Sequence, residues 1–228
     1  MPEPAAFYPL NARYKAAEKE NRQPEGILRD VAITNGPYNE PGGAYMFHGT
    51  DSSYIEFPNV GGLNTQFSIT LMCWVEPGGQ DGPLFKYESH QRDIGLWIES
   101  GKFINTIYLI RGNSITDYRV TSPEVLPAGK WVHVAASYDN NTRNNSLYIN
   151  GHFLKASHHT GTGYSITRNG RASRMGSTPG ERVHFKGKIA KMKVFDVALN
   201  ESQIQTSIRP GSCTFSVIVV SLPLRLFP

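Results

Sequence analysis

With only two cysteines, Cys73 and Cys213, in 228 residues, the chain has no disulfide framework to rely on. Its order must come from a packed core, which a chain of this length can bury as one domain. Charge is also scarce. Asp, Glu, Lys and Arg make up 18% of the residues and leave a formal net charge of +4, too modest by itself to imply nucleic acid or a membrane surface as partner. Met1-Pro2-Glu3-Pro4 lacks the basic and then apolar character of a secretory leader. No segment carries a long helical stripe, which argues against a helical bundle.

What is abundant points the other way. The chain has 22 glycines, 15 prolines and 11% aromatic residues, a composition suited to short strands joined by turns. The expected class is all-β, with one domain over residues 1–210. Residues 1–45 are rich in Pro, Gly and Asn and read as loops around a leading strand. The short charged stretch Tyr14 to Arg22 has little apolar face.

From Ala44 the pattern sharpens. Tyr45-Met46-Phe47, a Gly49-Thr50-Asp51-Ser52-Ser53 turn and Tyr54-Ile55-Glu56-Phe57 read as strand, turn, strand. In the run Phe67 to Val75, period two puts Phe67, Ile69, Leu71, Cys73 and Val75 on one face, as a core strand would. After the Pro127-Ala128-Gly129-Lys130 turn, Val132, Val134, Ala136 and Tyr138 alternate against Trp131, His133, Ala135 and Ser137. Asn150-Gly151 predicts a type I′ hairpin, because both central residues take positive φ. Val183 to Phe195 reads as a strand pair. Phe185, Gly187 and Ile189 share one parity and Met192 and Val194 the other, so a bulge near Ala190 is expected.

Near the end, Leu199 to Ile204 carries a helix start. Asn200 is the N-cap, Gln203 completes a capping box, and Leu199 and Ile204 form a hydrophobic staple. Acceptor sequons occur at Asn140, Asn144 and Asn200. A cap at Asn200 would compete with a glycan there, which leaves Asn140 and Asn144 as the glycosylation candidates. Residues 211–228 turn abruptly apolar but are too short and too interrupted, by Pro223 and Arg225, for a spanning helix. They read as a disordered or artefactual tail, or as the start of an anchor or of a further domain.

Four blocks, taken in order, resemble the laminin-G/pentraxin, concanavalin A-like jelly roll. They are Gly43 to Phe57, Phe67 to Val75, Trp131 to Gly151, and Phe185 to Ile204. The resemblance implies a two-sheet antiparallel jelly-roll sandwich with one short C-terminal helix. It also implies an extracellular or cell-surface setting within a larger secreted protein, with a glycan or an extracellular matrix protein as partner. Nucleic acid and membrane insertion are not expected.

Fold does not fix function, since this fold carries lectins, adhesion modules and glycanases. Glycanases of this type need paired carboxylates, usually Glu-x-Asp-x-x-Glu on one strand. Here Glu88, Asp93 and Glu99 form no tight pair, and Asp93-Ile94-Gly95-Leu96-Trp97 departs from a sialidase Asp box. The expectation is therefore a non-catalytic module. Relatives often bind calcium through several oxygen ligands. The stretch Gly176 to Gly180, which matches a pentraxin calcium segment, has no carboxylate. Asp51 is the candidate for a single calcium site, with an Asx-turn role as the alternative. Cys73 matches a pentraxin cysteine whose partner position falls near Ala135, so it reads as a buried, unpaired thiol. The seven histidines show no zinc spacing and read as solvated loop residues. Trp74 and Trp131 read as core residues.

One concentration of charge remains: Arg168, Arg171, Arg174, Arg182, Lys186, Lys188, Lys191 and Lys193, opposed only by Glu181. It reads either as a strip that binds sulfated glycosaminoglycan or matrix, or as lysines protecting an edge strand. The expected function is carbohydrate recognition, with protein–protein adhesion as the alternative.

Overall fold

The computed structural model describes residues 1–59, 63, 65–87, 94–166, 172–178, 180 and 182–208. Among these, strands form two eight-stranded antiparallel sheets, with one helix at the C-terminal end. The first sheet runs in the order β13 (His152–His158), β12 (Asn144–Ile149), β11 (Val132–Asp139), β6 (Ile69–Gln80), β16 (Lys186–Phe195), β4 (Ala44–His48) and β3 (Val31–Thr34). β1 (Ala6–Tyr8) lies beside the far half of β16. The second sheet runs β10 (Ser114–Val125), β9 (Lys102–Arg111), β8 (Ile94–Glu99), β7 (Gly82–Tyr87), β15 (Ser173–Met175), β5 (Tyr54–Phe57) and β2 (Ile27–Arg29), with β14 (Ser165–Ile166) on β9. The turn between Phe47 and Tyr54 therefore carries the chain from one sheet to the other and does not close a hairpin.

The alternation read from the sequence lies against the interior. Ile69, Leu71, Cys73 and Val75 share one buried cluster with Val132, Val134, Ala136 and Tyr138. Phe67 does not join them. It precedes the first paired residue, Ile69, so the pleat does not direct it, and it is 53% exposed. Cys73 stands opposite Val134 and is fully buried, and burial pushes its thiol up to about 12. Such a thiol carries little thiolate at neutral pH. Cys213 lies outside the described residues, as does the whole stretch 209–228.

The segment expected as a strand pair is one long bulged strand, β16. Its pairing with β6 slips between Ala190 and Lys193, and Lys191 takes φ of 54°. Past this bulge β1 replaces β4 as the neighbour of β16, while Met192 and Val194 turn to the core. Since β6 flanks β16 on one side and β4 and then β1 on the other, it is an interior strand. Its lysines do not protect a sheet edge.

Asn150 and Gly151 form the two-residue hairpin, with φ of 52° and 84°. The helix α1 (Glu201–Ile208) begins at a full capping box. Asn200 Oδ1 accepts from Gln203 N at 3.0 Å, and Asn200 N donates to Gln203 Oε1 at 2.9 Å. Leu199 and Ile204 pack with Met72, Ala135, Tyr148 and Phe195, which fastens α1 to the outer face of the first sheet.

Candidate functional site

Among the described residues the basic run divides between the two sheets. Arg168 and Arg171 lie outside the described residues. Arg174 is on β15, in the opposite sheet from the lysines, where its Nε donates to Glu56 Oε2 at 2.8 Å and its guanidinium lies over Tyr54. Arg182 is exposed just ahead of β16. Lys186 is exposed, Lys188 pairs with Glu76 at 2.8 Å, and Lys191 pairs with Glu40 at 2.9 Å. Lys193 donates instead to the carbonyl and hydroxyl of Ser207 at 2.7 and 2.9 Å. Sequence counting saw the lysines, but their acidic partners come from remote segments.

Asp51 is exposed in its turn, and its carbonyl accepts from Ser177 Oγ. Asp30 braces this turn: its carboxylate accepts from Ser52 Oγ at 3.0 Å and its carbonyl from Ser53 Oγ at 2.7 Å. Among the described residues no three His, Cys, Asp or Glu side chains gather as metal ligands. Asn140 sits half-buried in the turn after β11, and Asn144 begins β12 with Oδ1 at 3.1 Å from His158 Nδ1.

Histidine and tryptophan both depart from expectation. His133 and His159 are buried, at 2% and 4% exposed. His159 lies between the rings of Tyr118 and Tyr164. Trp74 alternates with core residues and so faces outward from the first sheet, half-buried, with the rings of Tyr38 and His133 each 5.5 Å away. Trp131 lies just ahead of β11 and is also half-buried.

A coherent polar and aromatic surface forms on the outer face of the second sheet. Strand register sets Glu56, Arg174, Lys86, Gly95, Thr106 and Arg119 in one row across five interstrand pairings. Trp97 and Tyr108 flank this row, and Asp117 stands opposite Tyr108. Gly95 interrupts the row. Its φ is +156°, and a Cβ there would lie 2.1 Å from the Phe85 carbonyl oxygen. Only a glycine lets the β7 backbone lie this close to β8 beneath the Trp97 face. Trp97, Glu99, Ile104, Thr106, Tyr108, Asp117 and Arg119 line a depression of about 220 Å³. Lys86, 2% exposed, places Nζ 5.0 Å from the Trp97 ring centre. That cation–π contact holds the half-buried indole in place. Arg119 and Glu99 form an ion pair at the rim. Such a site offers an apolar platform and several hydrogen-bonding groups to one ligand.

Residues 48–205 match the family model described as the concanavalin A-like lectin/glucanases superfamily. The chain belongs to this superfamily. No curated protein matches it in sequence. Among solved structures it is similar to domain 4 of an extracellular arabinanase from Geobacillus stearothermophilus, in complex with arabinotriose, at 20% identity and a TM-score of 0.67. That match covers 91% of this chain and 98% of the domain. The binding domain of botulinum neurotoxin serotype G matches at 12% identity and a TM-score of 0.70, over 90% of this chain and 50% of that one. The binding domain of Paraclostridial mosquitocidal protein 1 matches at 15% identity and a TM-score of 0.64, over 82% of this chain and 47% of that one. The chain thus spans about half the length of these two toxin domains. A pentraxin from Limulus polyphemus matches at 18% identity and a TM-score of 0.50, over 71% of this chain and 79% of that one. At these identities the likeness is one of fold. No helix among the described residues is long and apolar enough to cross a membrane.

Proposed function

We propose that this lectin/glucanase-superfamily domain is a non-catalytic, extracellular carbohydrate-binding module, whose sugar site is the Trp97 face of the second sheet. The observation that carries the reading is the half-buried Trp97 indole, steadied by Lys86, in a depression lined by the polar groups of Thr106, Asp117 and Arg119. A sugar ring has an apolar face that packs on an indole and hydroxyls that such side chains can bond. The arabinotriose bound to the arabinanase domain supports the ligand class. A non-catalytic role is supported by the acids on this face. Glu56 is engaged by Arg174 and Glu99 by Arg119, so neither is a free partner for Asp117 in the two-carboxylate chemistry of glycanases. Asn140 and Asn144 remain its glycan acceptors.

The test is calorimetric titration of neutral oligosaccharides, arabinotriose among them, into the protein and into Trp97→Ala. The reading expects at least one saccharide to bind and Trp97→Ala to weaken it tenfold or more while still melting cooperatively above the titration temperature. Equal binding by both proteins removes Trp97 from the site. Failure of every saccharide moves the function to protein–protein adhesion.

A further inference from the structure

On the opposite side of the sandwich, the outer face of the first sheet holds a groove of about 930 Å³. Its floor is Trp74 and Met72 of β6, His133 of β11, and Lys191 and Lys193 of β16. One wall is the end of α1 at Thr206 to Ile208, and the other is the N-terminal segment with Phe7, Lys19 and Arg22. Two acids, Glu3 and Glu20, also reach it, and both are engaged: Glu20 with Lys19 at 3.5 Å and Glu3 with Arg22 at 3.9 Å.

The positive charges here are unequally compensated. Lys191 has Glu40, Lys19 has Glu20, and Arg22 has Glu3 and Glu18. Lys193 is within ion-pair distance of no described carboxylate, and its two hydrogen bonds go to the neutral groups of Ser207. Burial, with repulsion from Lys19 and Lys191, holds its ammonium down to about 8. A lysine bonded to the last turn of a helix is a common structural device, but it uses two of three N–H donors, and the ammonium otherwise meets the Phe7 ring, centred 5.1 Å from Nζ, and no carboxylate. Beside it, His133 is 2% exposed and its Nδ1 has no hydrogen-bond partner. A buried polar atom without a partner carries a desolvation cost that a ligand can remove.

We propose that this groove is a second saccharide site, selective for an anionic sugar whose carboxylate or sulfate meets Lys193 and His133 while its ring lies against Trp74. The saccharide class is taken from the Trp97 reading, but the acidic group is inferred from the groove alone. Of the four β16 lysines, Lys193 is thereby the one that specifies the anion, while Lys188 and Lys191 are held by their glutamates. Three features converge on a charged ring: an ammonium without a carboxylate, an unpartnered imidazole nitrogen and a half-exposed indole.

The test uses a heparin-derived tetrasaccharide, uncharged cellotetraose and inorganic sulfate, titrated into the full chain at low and physiological salt. The variants are Lys193→Met, Lys193→Arg and Trp74→Ala, with Lys155→Ala removing an exposed charge elsewhere on the same sheet. The tetrasaccharide should bind and cellotetraose should not compete. Affinity should fall tenfold or more in Lys193→Met and in Trp74→Ala, return in Lys193→Arg, and stay within twofold in Lys155→Ala. If Lys193→Met fails to fold, Trp74→Ala carries the same decision. Equal losses in Lys155→Ala and Lys193→Met would replace the site by general charge attraction. Sulfate that displaces the tetrasaccharide at equal concentration would mean a free-anion site and overturn the saccharide assignment. Tetrasaccharide binding unchanged in Trp74→Ala would also overturn it. Because no variant touches Trp97 and cellotetraose enters only as a competitor for the charged tetrasaccharide, this proposal and the Trp97 reading fail separately.

Discussion

Asn105 of the second sheet and Asn145 of the first meet inside the sandwich, where Asn105 Nδ2 donates to Asn145 Oδ1 at 2.6 Å. Both are almost fully buried, and Asn145 Nδ2 also donates to the Tyr118 carbonyl at 3.0 Å. The bond fixes the two sheets in one relative placement, because any slide would strand buried amides. Either Asn105→Ala or Asn145→Ala should cost about 2 to 3 kcal/mol, mostly from the partner left unsatisfied. In denaturant melts the double variant should cost less than the sum of the singles. Additive losses would show that the pair is not coupled.

Gly95→Ala tests the close approach of β7 and β8 beneath the Trp97 face. The substitution requires a side chain at φ of +156° and a Cβ 2.1 Å from the Phe85 carbonyl oxygen. The expected cost is about 2 kcal/mol or more. Oligosaccharide affinity should fall with it, and an unchanged denaturation midpoint would contradict the placement of β8 against β7.

His133 predicts an acid-sensitive fold. Burial, with Lys193 adding to it, lowers its imidazole from 6.5 to about 3. The unfolded chain therefore binds a proton between these values that the folded chain refuses. Stability attributable to His133 is full above pH 6.5 and is lost as pH falls toward 3, at up to about 1.4 kcal/mol per unit. His133→Phe should lose less stability between pH 6.5 and 4 than the parent. Parallel pH profiles would contradict the assignment.

Asn200→Ala removes the side-chain acceptor for Gln203 N. The loss should be about 1 kcal/mol, and Asn200→Asp should restore most of it. A larger loss, with exposure of Leu199 and Ile204 to solvent, would mean that the cap governs docking of α1 and not its ends alone.

Much of the fold was legible because strand alternation is local. Leu71, Cys73 and Val75 declare their face within a few residues, and the parity switch from Ile189 to Met192 marked the bulge at Lys191. The helix cap was equally local, with Asn200 three residues from Gln203. The sites were not local. Glu56, Arg174, Lys86, Gly95, Thr106 and Arg119 come together only through register across six strands, which no short window contains. Trp74 looked like a core residue because its neighbours are, yet period two turns it outward. The ion pairs of the basic run were hidden for a related reason: Glu76 and Glu40, which hold Lys188 and Lys191, are more than a hundred residues away in sequence.

The central claim is that the Trp97 face binds sugar. Calorimetric titration of neutral oligosaccharides into the parent and Trp97→Ala, with both thermal midpoints recorded, tests it most directly. The account predicts a saturable heat in the parent that weakens at least tenfold in a variant that is still folded at the titration temperature. A saccharide that binds both proteins alike, or none that binds either, would contradict it.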